Sequence, residues 1–204
     1  MNDLNRALGD IRDIRRQLAQ STEFRGYGPL TLFATATFAV VAGLVQSALL
    51  TEPARHPLQF VAIWSATAIL SAALIAIQTL TRTHRMHSGM ANEMILMAVE
   101  QFLPAAAAGT LLTVVIVSTV PQGVWLLPGL WQIVYSLGVF SSCRFMPRPM
   151  LAAGAWYLLT GLLCIALGDA RALSPWVMAG AYAVGQSLIA GTLYFTAKKV
   201  SDEE

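Results

Sequence analysis

Three polar side chains of this sequence could do chemistry inside apolar surroundings, and two of them are neighbours. Glu100 and Gln101 lie in a long apolar run, and Pro104 follows one helical turn later. A proline has no backbone N–H, so the carbonyl of Glu100 would lose its helical hydrogen-bond partner. An under-bonded turn that carries a carboxylate and an amide could bind a cation, a proton or a polar lipid headgroup. Gln132, in a later apolar run, could contribute a second amide.

Two other interpretations of Glu100 stay open. The carboxyl group could remain protonated, or it could pair with Gln132 or Gln186 and lock two helices together. Glu93 precedes Glu100 by seven residues and would share its helix face about 10 Å away. The two carboxylates could be successive stations on a cation path, although Glu93 also lies where a solvated group at a membrane boundary is expected.

Histidine and methionine side chains cluster just before Glu100. His84 and His87 lie in a basic segment together with Met86, Met90, Met94 and Met97. Imidazole and thioether groups suit a soft metal ion, and an unperturbed imidazole titrates near pH ~6.5, so the histidines could also sense pH. The sequence contains no tight metal-ligand, nucleotide-binding or hydrolase motif. We therefore expect no catalytic, cofactor-binding or metal-ligating residue.

The composition predicts the elements that hold these residues. Of the 204 residues, 56% are hydrophobic and 12% are charged, which is too little charge to cover a water-soluble protein. The apolar runs reach about 20 residues, the length of a membrane-spanning helix, and they lack the alternation of barrel strands. The sequence therefore predicts an all-α, polytopic integral membrane protein. Its six predicted transmembrane helices are residues 29–50, 59–80, 94–118, 124–142, 149–167 and 175–197.

Residues 1–25 predict a short amphipathic helix at the cytoplasmic side. Apolar residues recur there at helical spacing, at Leu4, Leu8, Ile11, Ile14 and Leu18. The segment holds five arginines and four acidic residues, a near balance that favours contact with protein over contact with anionic lipid. We expect residues 1–25 to bind a protein partner or a second copy, residues 26–197 to form a bundle in the lipid bilayer, and residues 198–204 to be a charged cytoplasmic tail.

The placement of lysine and arginine predicts the orientation. Eleven of the 13 basic residues lie on the side that holds both termini, and only Arg55 and Arg171 lie on the other side. Basic residues resist translocation, so both termini are predicted in the cytoplasm and the chain in the cytoplasmic (inner) membrane. A net charge of +2 gives no indication of a nucleic-acid partner.

Small residues recur along several predicted spans and favour close helix packing. The first span carries Thr35, Ala39, Gly43 and Ser47, and the sixth carries Ala179, Ala183 and Ser187. Lipid tails are as apolar as leucine, so close approach of helix backbones is what holds a membrane bundle together. We interpret these stripes as packing surfaces within the bundle. A homodimer through the first or sixth span is the alternative.

Three classes of function fit the sequence. The favoured class is a non-catalytic membrane component, a scaffold, sensor or regulatory subunit, that docks partners through residues 1–25. The alternative is a small transporter or channel for a cation, proton or small solute that uses Glu100 beside Pro104. An enzyme acting on a lipid with His84, His87, Glu93 and Glu100 ranks last, because no nucleophile accompanies them. A hydrated route needs donors and acceptors along its walls, and few polar residues occur in the first, second, fifth and sixth spans.

Overall fold

The computed structural model describes residues 29–86, 89–143 and 149–202. Side chains are described for all of these except residues 29, 79–80, 82–86, 89–99 and 196–202. The predicted helix of residues 1–25 and His87 lie outside the described residues. The described part is all-helical, with six α-helices, two short 3₁₀ segments and no strand.

The six helices coincide with the six predicted apolar segments. They are α1 (Pro29–Leu49), α2 (Pro57–Met86), α3 (Gly89–Thr119), α4 (Leu127–Ser142), α5 (Met150–Ala166) and α6 (Pro175–Asp202). The 3₁₀ segments Pro121–Leu126 and Ala170–Leu173 precede α4 and α6. The predicted all-α fold is therefore confirmed.

Length and composition make four of these segments candidate membrane spans. They are Leu30–Leu49, Pro57–Gln78, Glu100–Thr119 and Pro121–Ser142, and Met150–Ala166 is a shorter apolar helix. Among the described residues, α6 does not meet the same criteria, because Gln186, Ser187 and several glycines and aromatic residues dilute its apolar character. Six membrane crossings are therefore not confirmed by the structure.

The boundary between the second and third helices differs from the prediction. We expected a loop from residue 81 to residue 93, but α2 continues to Met86 and α3 begins at Gly89. A helix does not have to end where an apolar run ends, because methionine and arginine are good helix formers and their side chains can be solvated. His84 and Glu93 therefore lie on helices rather than in a loop.

Two prolines have different consequences for the helices that contain them. The α3 helix continues through Pro104, so the helix does not end there. Pro128 lies in the first turn of α4, directly after the 3₁₀ segment Pro121–Leu126. A proline is well tolerated in the first turn, where the backbone N–H has no helical acceptor in any case. Pro128 therefore marks the start of the α-helix in the fourth predicted span.

Four helices form the well-packed part of the bundle. The α1 helix packs along α6, α4 packs along α5, and α5 and α6 also contact each other. Each candidate span has one most apolar stretch, and the buried share of that stretch is 39% in α1 and 50% in the segment Pro121–Ser142. The corresponding share is 11% for α2 and 0% for α3, which also contact each other little. The α2 and α3 helices are therefore the least buried, although α3 also packs along α4. We call these two helices the outer pair and the other four the core.

Small residues account for the close contacts inside this core. A Cβ atom on Gly129 of α4 would lie 2.8 Å from the carbonyl oxygen of Gly161 on α5, and the reverse distance is the same. A Cβ atom on Gly43 of α1 would lie 2.7 Å from the Cβ of Ala179 on α6. Thr35 and Ala39 are also buried. The predicted stripe on the first span thus packs within the chain, with Ser47 at its exposed end.

Three chain connections meet at one end of the bundle. A cleft of about 200 Å³ is lined by residues from all three, including Ala54 and Pro57, Pro121 and Gln122, and Ala170. These are the connections that the charge pattern predicts on the side opposite the two termini. The structure therefore places the two predicted non-cytoplasmic arginines, Arg55 and Arg171, in connections that meet at the same end.

Candidate functional site

A buried glutamine ties three parts of the chain together near this end. Gln46 of α1 is fully buried, and its Nε2 donates to the backbone carbonyl of Leu173 over 2.7 Å. Trp64 of α2 donates from its indole N–H to Oε1 of Gln46, also over 2.7 Å. Both ends of the amide are therefore satisfied. Because an unsatisfied amide in an apolar interior is costly, this arrangement fixes α2 and the connection before α6 against α1.

Trp131 of α4 provides the matching link to the outer helices. Its indole N–H donates to Oγ1 of Thr113 on α3 over 2.8 Å. Its ring is nearly parallel to that of Phe60 on α2, with centroids 6.2 Å apart. One tryptophan thus holds both members of the outer pair against the core. The outer pair is also joined to the core by packing of α3 along α4, where a Cβ atom on Gly138 would lie 3.2 Å from the Cβ of Ala105.

A group of buried polar side chains lies near the middle of the four-helix core. We use the term buried polar cluster for Gln132 and Ser136 of α4, Tyr157 of α5 and Gln186 of α6. Gln132, Ser136 and Tyr157 are 0% exposed and Gln186 is 6% exposed. Oε1 of Gln132, Oγ of Ser136, the hydroxyl of Tyr157 and Oε1 of Gln186 have no hydrogen-bond partner in the protein. Such groups are rare in native interiors and call for a physical explanation.

Tyr157 of this cluster also contacts two other tyrosines, one on α4 and one on α6. The ring centroids are 4.7 Å apart for Tyr135 and Tyr157, 5.2 Å for Tyr157 and Tyr182, and 5.8 Å for Tyr135 and Tyr182. Gln186 donates from Nε2 to the hydroxyl of Tyr135 over 2.8 Å. The rings close the centre of the core, and the amide of Gln186 is held by one of them.

Contacts among the helices place the members of the cluster on adjoining turns. A Cβ atom on Gly161 would lie 3.1 Å from the Cβ of Gln132, and Gly161 follows Tyr157 by one turn of α5. A Cβ atom on Gly185, the residue before Gln186, would lie 2.5 Å from the hydroxyl of Tyr157. Only a glycine at position 185 leaves space for that hydroxyl to point at α6.

All polar groups of the buried polar cluster are uncharged. It contains two hydroxyl groups and two amides but no carboxylate, ammonium or guanidinium group. Nε2 of Gln132 lies 3.8 Å from the sulfur of Met178, which is a weak acceptor. Hydroxyl and amide groups can bind a polar molecule by hydrogen bonds, but a serine or tyrosine nucleophile needs an adjacent general base, and the cluster contains none.

Glu100 lies elsewhere, on the outward face of α3. Its side chain is exposed, together with those of Leu103, Pro104 and Leu111, which recur on the same face. The inward side of α3 is marked by partly buried residues such as Phe102, whose ring meets Tyr135 edge-on with centroids 5.4 Å apart. Glu100 has no hydrogen-bond or ion-pair partner among the described residues. The structure therefore does not bring Glu100 and Gln132 into one site.

The other predicted site residues are only partly described. Gln101 is half-buried, and its backbone carbonyl accepts a hydrogen bond from Oγ of Ser141 on α4 over 3.3 Å. Glu93 lies in α3 and His84 in α2, but their side chains are not described, and His87 lies outside the described residues. Within the part of the chain that is described, no three histidine, cysteine or acidic side chains form a group that could hold a metal ion.

Two exposed ion pairs flank the end where the three connections meet. Arg55 pairs with Glu52, and Arg171 pairs with Asp169 over 2.9 Å. The hydrogen bonds from Arg171 lower the pKa of the Asp169 carboxyl below its ordinary value. Each predicted non-cytoplasmic arginine is thus matched by an acidic side chain close to it in sequence.

The comparisons with known proteins add no relative. No protein-family model matches the chain, and no curated protein or solved structure is significantly similar to it.

Sequence reasoning found the glutamines but missed most of the buried polar cluster. Tyr157 and Ser136 were not singled out, because a tyrosine or serine in an apolar run is ordinary. The available signal is the spacing of Gln132 and Ser136, which share a helix face, together with an amide in the middle of the sixth span at Gln186. An amide in the middle of an apolar span requires a partner.

Proposed function

We propose that this protein is a non-catalytic integral membrane component, a scaffold, sensor or regulatory subunit, that docks partners through residues 1–25. The observation that carries the proposal is the separation of charge from the interior. Glu100 is exposed on the outward face of α3, whereas the inward polar groups are neutral and at most 6% exposed. The interior of the core therefore offers a rigid framework rather than a reactive or conducting site.

The same separation weakens the transporter alternative. A conducting route needs a continuous wall of donors and acceptors that is open to water at both ends. The tyrosine rings of α4, α5 and α6 close the centre of the core, and the cleft of about 200 Å³ lies at one end among the chain connections. A cation path through Glu100 would have to run along the outside of the bundle.

We propose that all six helices cross the inner membrane with both termini in the cytoplasm. Three connections that hold the two arginines Arg55 and Arg171 meet at one end, and both arginines are paired with acidic residues there. The remaining 11 basic residues belong to the other side of the predicted topology. A charge difference of this kind favours retention of the basic side in the cytoplasm. An even number of crossings then accounts for both termini.

Residues 1–25 supply the proposed docking element. Their apolar stripe must be covered by a partner, a second copy or the bilayer surface, because a lone amphipathic helix in water is only marginally stable. Five arginines are nearly balanced by four acidic residues. Binding to anionic lipid improves with a clear basic excess, so a protein surface is the better match.

A pair of matched substitutions tests the docking role. Ile11→Glu places a charge on the apolar stripe, and Gln17→Glu adds the same charge on the polar side of the predicted helix. We expect Ile11→Glu to abolish capture of protein partners by crosslinking in native membranes, and Gln17→Glu to leave the crosslinked products unchanged. Both variants should insert in the membrane like the parent chain. Identical crosslinked products from the two variants, or from a chain that lacks residues 2–22, would contradict the proposal.

A further inference from the structure

The unpartnered groups of the buried polar cluster have a specific chemical pattern. Ser136 and Tyr157 each offer a hydroxyl group, which can donate, while Gln132 and Gln186 each offer an amide oxygen, which only accepts. A molecule that satisfies all four must both donate and accept hydrogen bonds. It must also be neutral, since the cluster contains no charged group.

The four side chains come from neighbouring turns of three helices that pack together in the core. Gln132 and Ser136 are one turn apart on α4, and the Cβ of Gln132 packs against Gly161, one turn from Tyr157. The hydroxyl of Tyr157 lies against Gly185 and close to the Gln186 side chain, without a hydrogen bond of good geometry between them. Two successive turns of α4 and one turn each of α5 and α6 therefore contribute the four groups.

The space around these groups sets the size of the molecule. The three tyrosine ring centroids lie only 4.7–5.8 Å apart. Rings at that separation are in contact, so a carbon-based ligand would have to displace them. A water molecule is small enough, and buried waters typically make about three hydrogen bonds to polar groups that would otherwise be unsatisfied.

We propose that the buried polar cluster is an internal hydration site, in which bound water links α4, α5 and α6 near the middle of the core. Bound water molecules accept from the hydroxyls of Ser136 and Tyr157 and donate to Oε1 of Gln132 and Oε1 of Gln186, so no single molecule has to reach all four groups. This water replaces direct hydrogen bonds among the three helices and lies between buried side chains. This site is independent of the docking role of residues 1–25.

Hydroxyl-radical labelling in lipid nanodiscs tests for the water directly. Radicals produced from bound water by X-ray radiolysis react within a very short distance, so they modify side chains that touch ordered water. Tyr157 and Phe60 are both aromatic and 0% exposed, but Phe60 lies in an apolar cluster. We expect Tyr157 to be oxidised and Phe60 to remain unmodified. Equal protection of Tyr157 and Phe60 would overturn the proposal.

The sign of a stability change provides a second test. If water bonds the hydroxyl of Tyr157, Tyr157→Phe removes a hydrogen bond and should lower the unfolding midpoint by about 2–6 °C. If the hydroxyl is unsatisfied, its removal should leave the midpoint unchanged or raise it, which would overturn the proposal. Ser136→Ala repeats the test with a smaller change, and Tyr194→Phe on the exposed face of α6 is the control.

The chain offers a convenient readout for this experiment. Of its two cysteines, Cys164 is 2% exposed and Cys143 is partly exposed. In a Cys143→Ser background, a thiol-reactive fluorescent dye reports unfolding through Cys164 alone. We expect Tyr157→Phe and Ser136→Ala to expose Cys164 at a lower temperature than Tyr194→Phe does.

Discussion

The four-helix core and the outer pair of helices use similar residues in different ways. In the core, α1, α4, α5 and α6 bury small and polar residues against one another. In the outer pair, α2 and α3 bury 11% and 0% of their most apolar stretches, although both stretches qualify as candidate spans. Hydropathy therefore identifies the helices but does not distinguish a packing helix from a peripheral one. What distinguishes them here is that the buried amides of Gln46, Gln132 and Gln186 all belong to core helices.

The location of Glu100 fits this comparison. A carboxylate in the core would have to be desolvated and paired, which costs more than its exposure on a peripheral helix. The polar groups that the core does contain are neutral amides and hydroxyls. The chain thus confines its mid-helix charge to the outer pair.

The largest difference between the two regions should appear when equal side chains are shortened. Leu127 at the start of α4 is 0% exposed and Leu111 on α3 is 65% exposed. We expect Leu127→Ala to lower the free energy of unfolding by about 3 kcal/mol, because the cavity loses packing contacts that lipid cannot replace. Leu111→Ala should change it by less than about 0.5 kcal/mol. Reversible unfolding in mixed micelles measures both, and similar losses would erase the distinction between core and outer pair.

Adding one methyl group tests the core from the opposite direction. Gly161→Ala would place a Cβ atom 2.8 Å from the carbonyl oxygen of Gly129, whereas Gly180→Ala on the exposed face of α6 meets nothing within 4 Å. We expect Gly161→Ala to destabilise the protein by about 2 kcal/mol through forced separation of α4 and α5. Gly180→Ala should be neutral or slightly stabilising, since alanine is the better helix former. A neutral Gly161→Ala variant would show that the two backbones do not approach each other.

The link between the outer pair and the core should be weaker but specific. Trp64→Phe removes the donor to Oε1 of Gln46 and leaves a fully buried amide oxygen unsatisfied. We expect a loss of about 1.5 kcal/mol in the free energy of unfolding. Trp176→Phe, at a tryptophan that is 57% exposed, should have almost no effect. Combining Trp64→Phe with Gln46→Leu should recover part of the loss, and an additive double variant would contradict the link.

The smallest expected effect concerns the exposed pair Asp169 and Arg171. Because Arg171 lowers the pKa of Asp169 in the folded protein, the pair stabilises the fold above the ordinary aspartate pKa of about 3.9 and loses this contribution as the pH falls through the lowered value. Exposed ion pairs contribute little. The midpoints of Asp169→Asn and the parent chain should therefore differ slightly at pH ~7 and converge near pH ~2. If the difference between the two midpoints grew as the pH was lowered, the pair would not stabilise the folded protein through an ionised Asp169.

The sequence was sufficient to predict the helices but not their partners. Apolar runs and breakers located all six, because the helix is the one regular structure of a single segment that satisfies its own backbone. The ends of α2 and α3 were missed, since polar residues continue a helix into water. The pairing of Gln46 with Trp64, and of Gln186 with Tyr135, depends on the rotation of each helix about its axis. That rotation is fixed by contacts such as Gly129 with Gly161, which no local pattern specifies.

In the proposed topology, the three connections that meet at one end of the bundle face away from the cytoplasm and both termini face it. Labelling of single cysteines by a membrane-impermeant maleimide tests this most directly. In a chain that lacks Cys143 and Cys164, Ala54→Cys, Gln122→Cys and Ala170→Cys place thiols at exposed positions of the three connections, and Asn2→Cys and Ser201→Cys place them near the termini. We expect the three connection sites to react in intact, right-side-out spheroplasts. The two terminal sites should react only after the membrane is permeabilised. Reaction of either terminus in intact cells, or different behaviour among the three connections, would contradict the account.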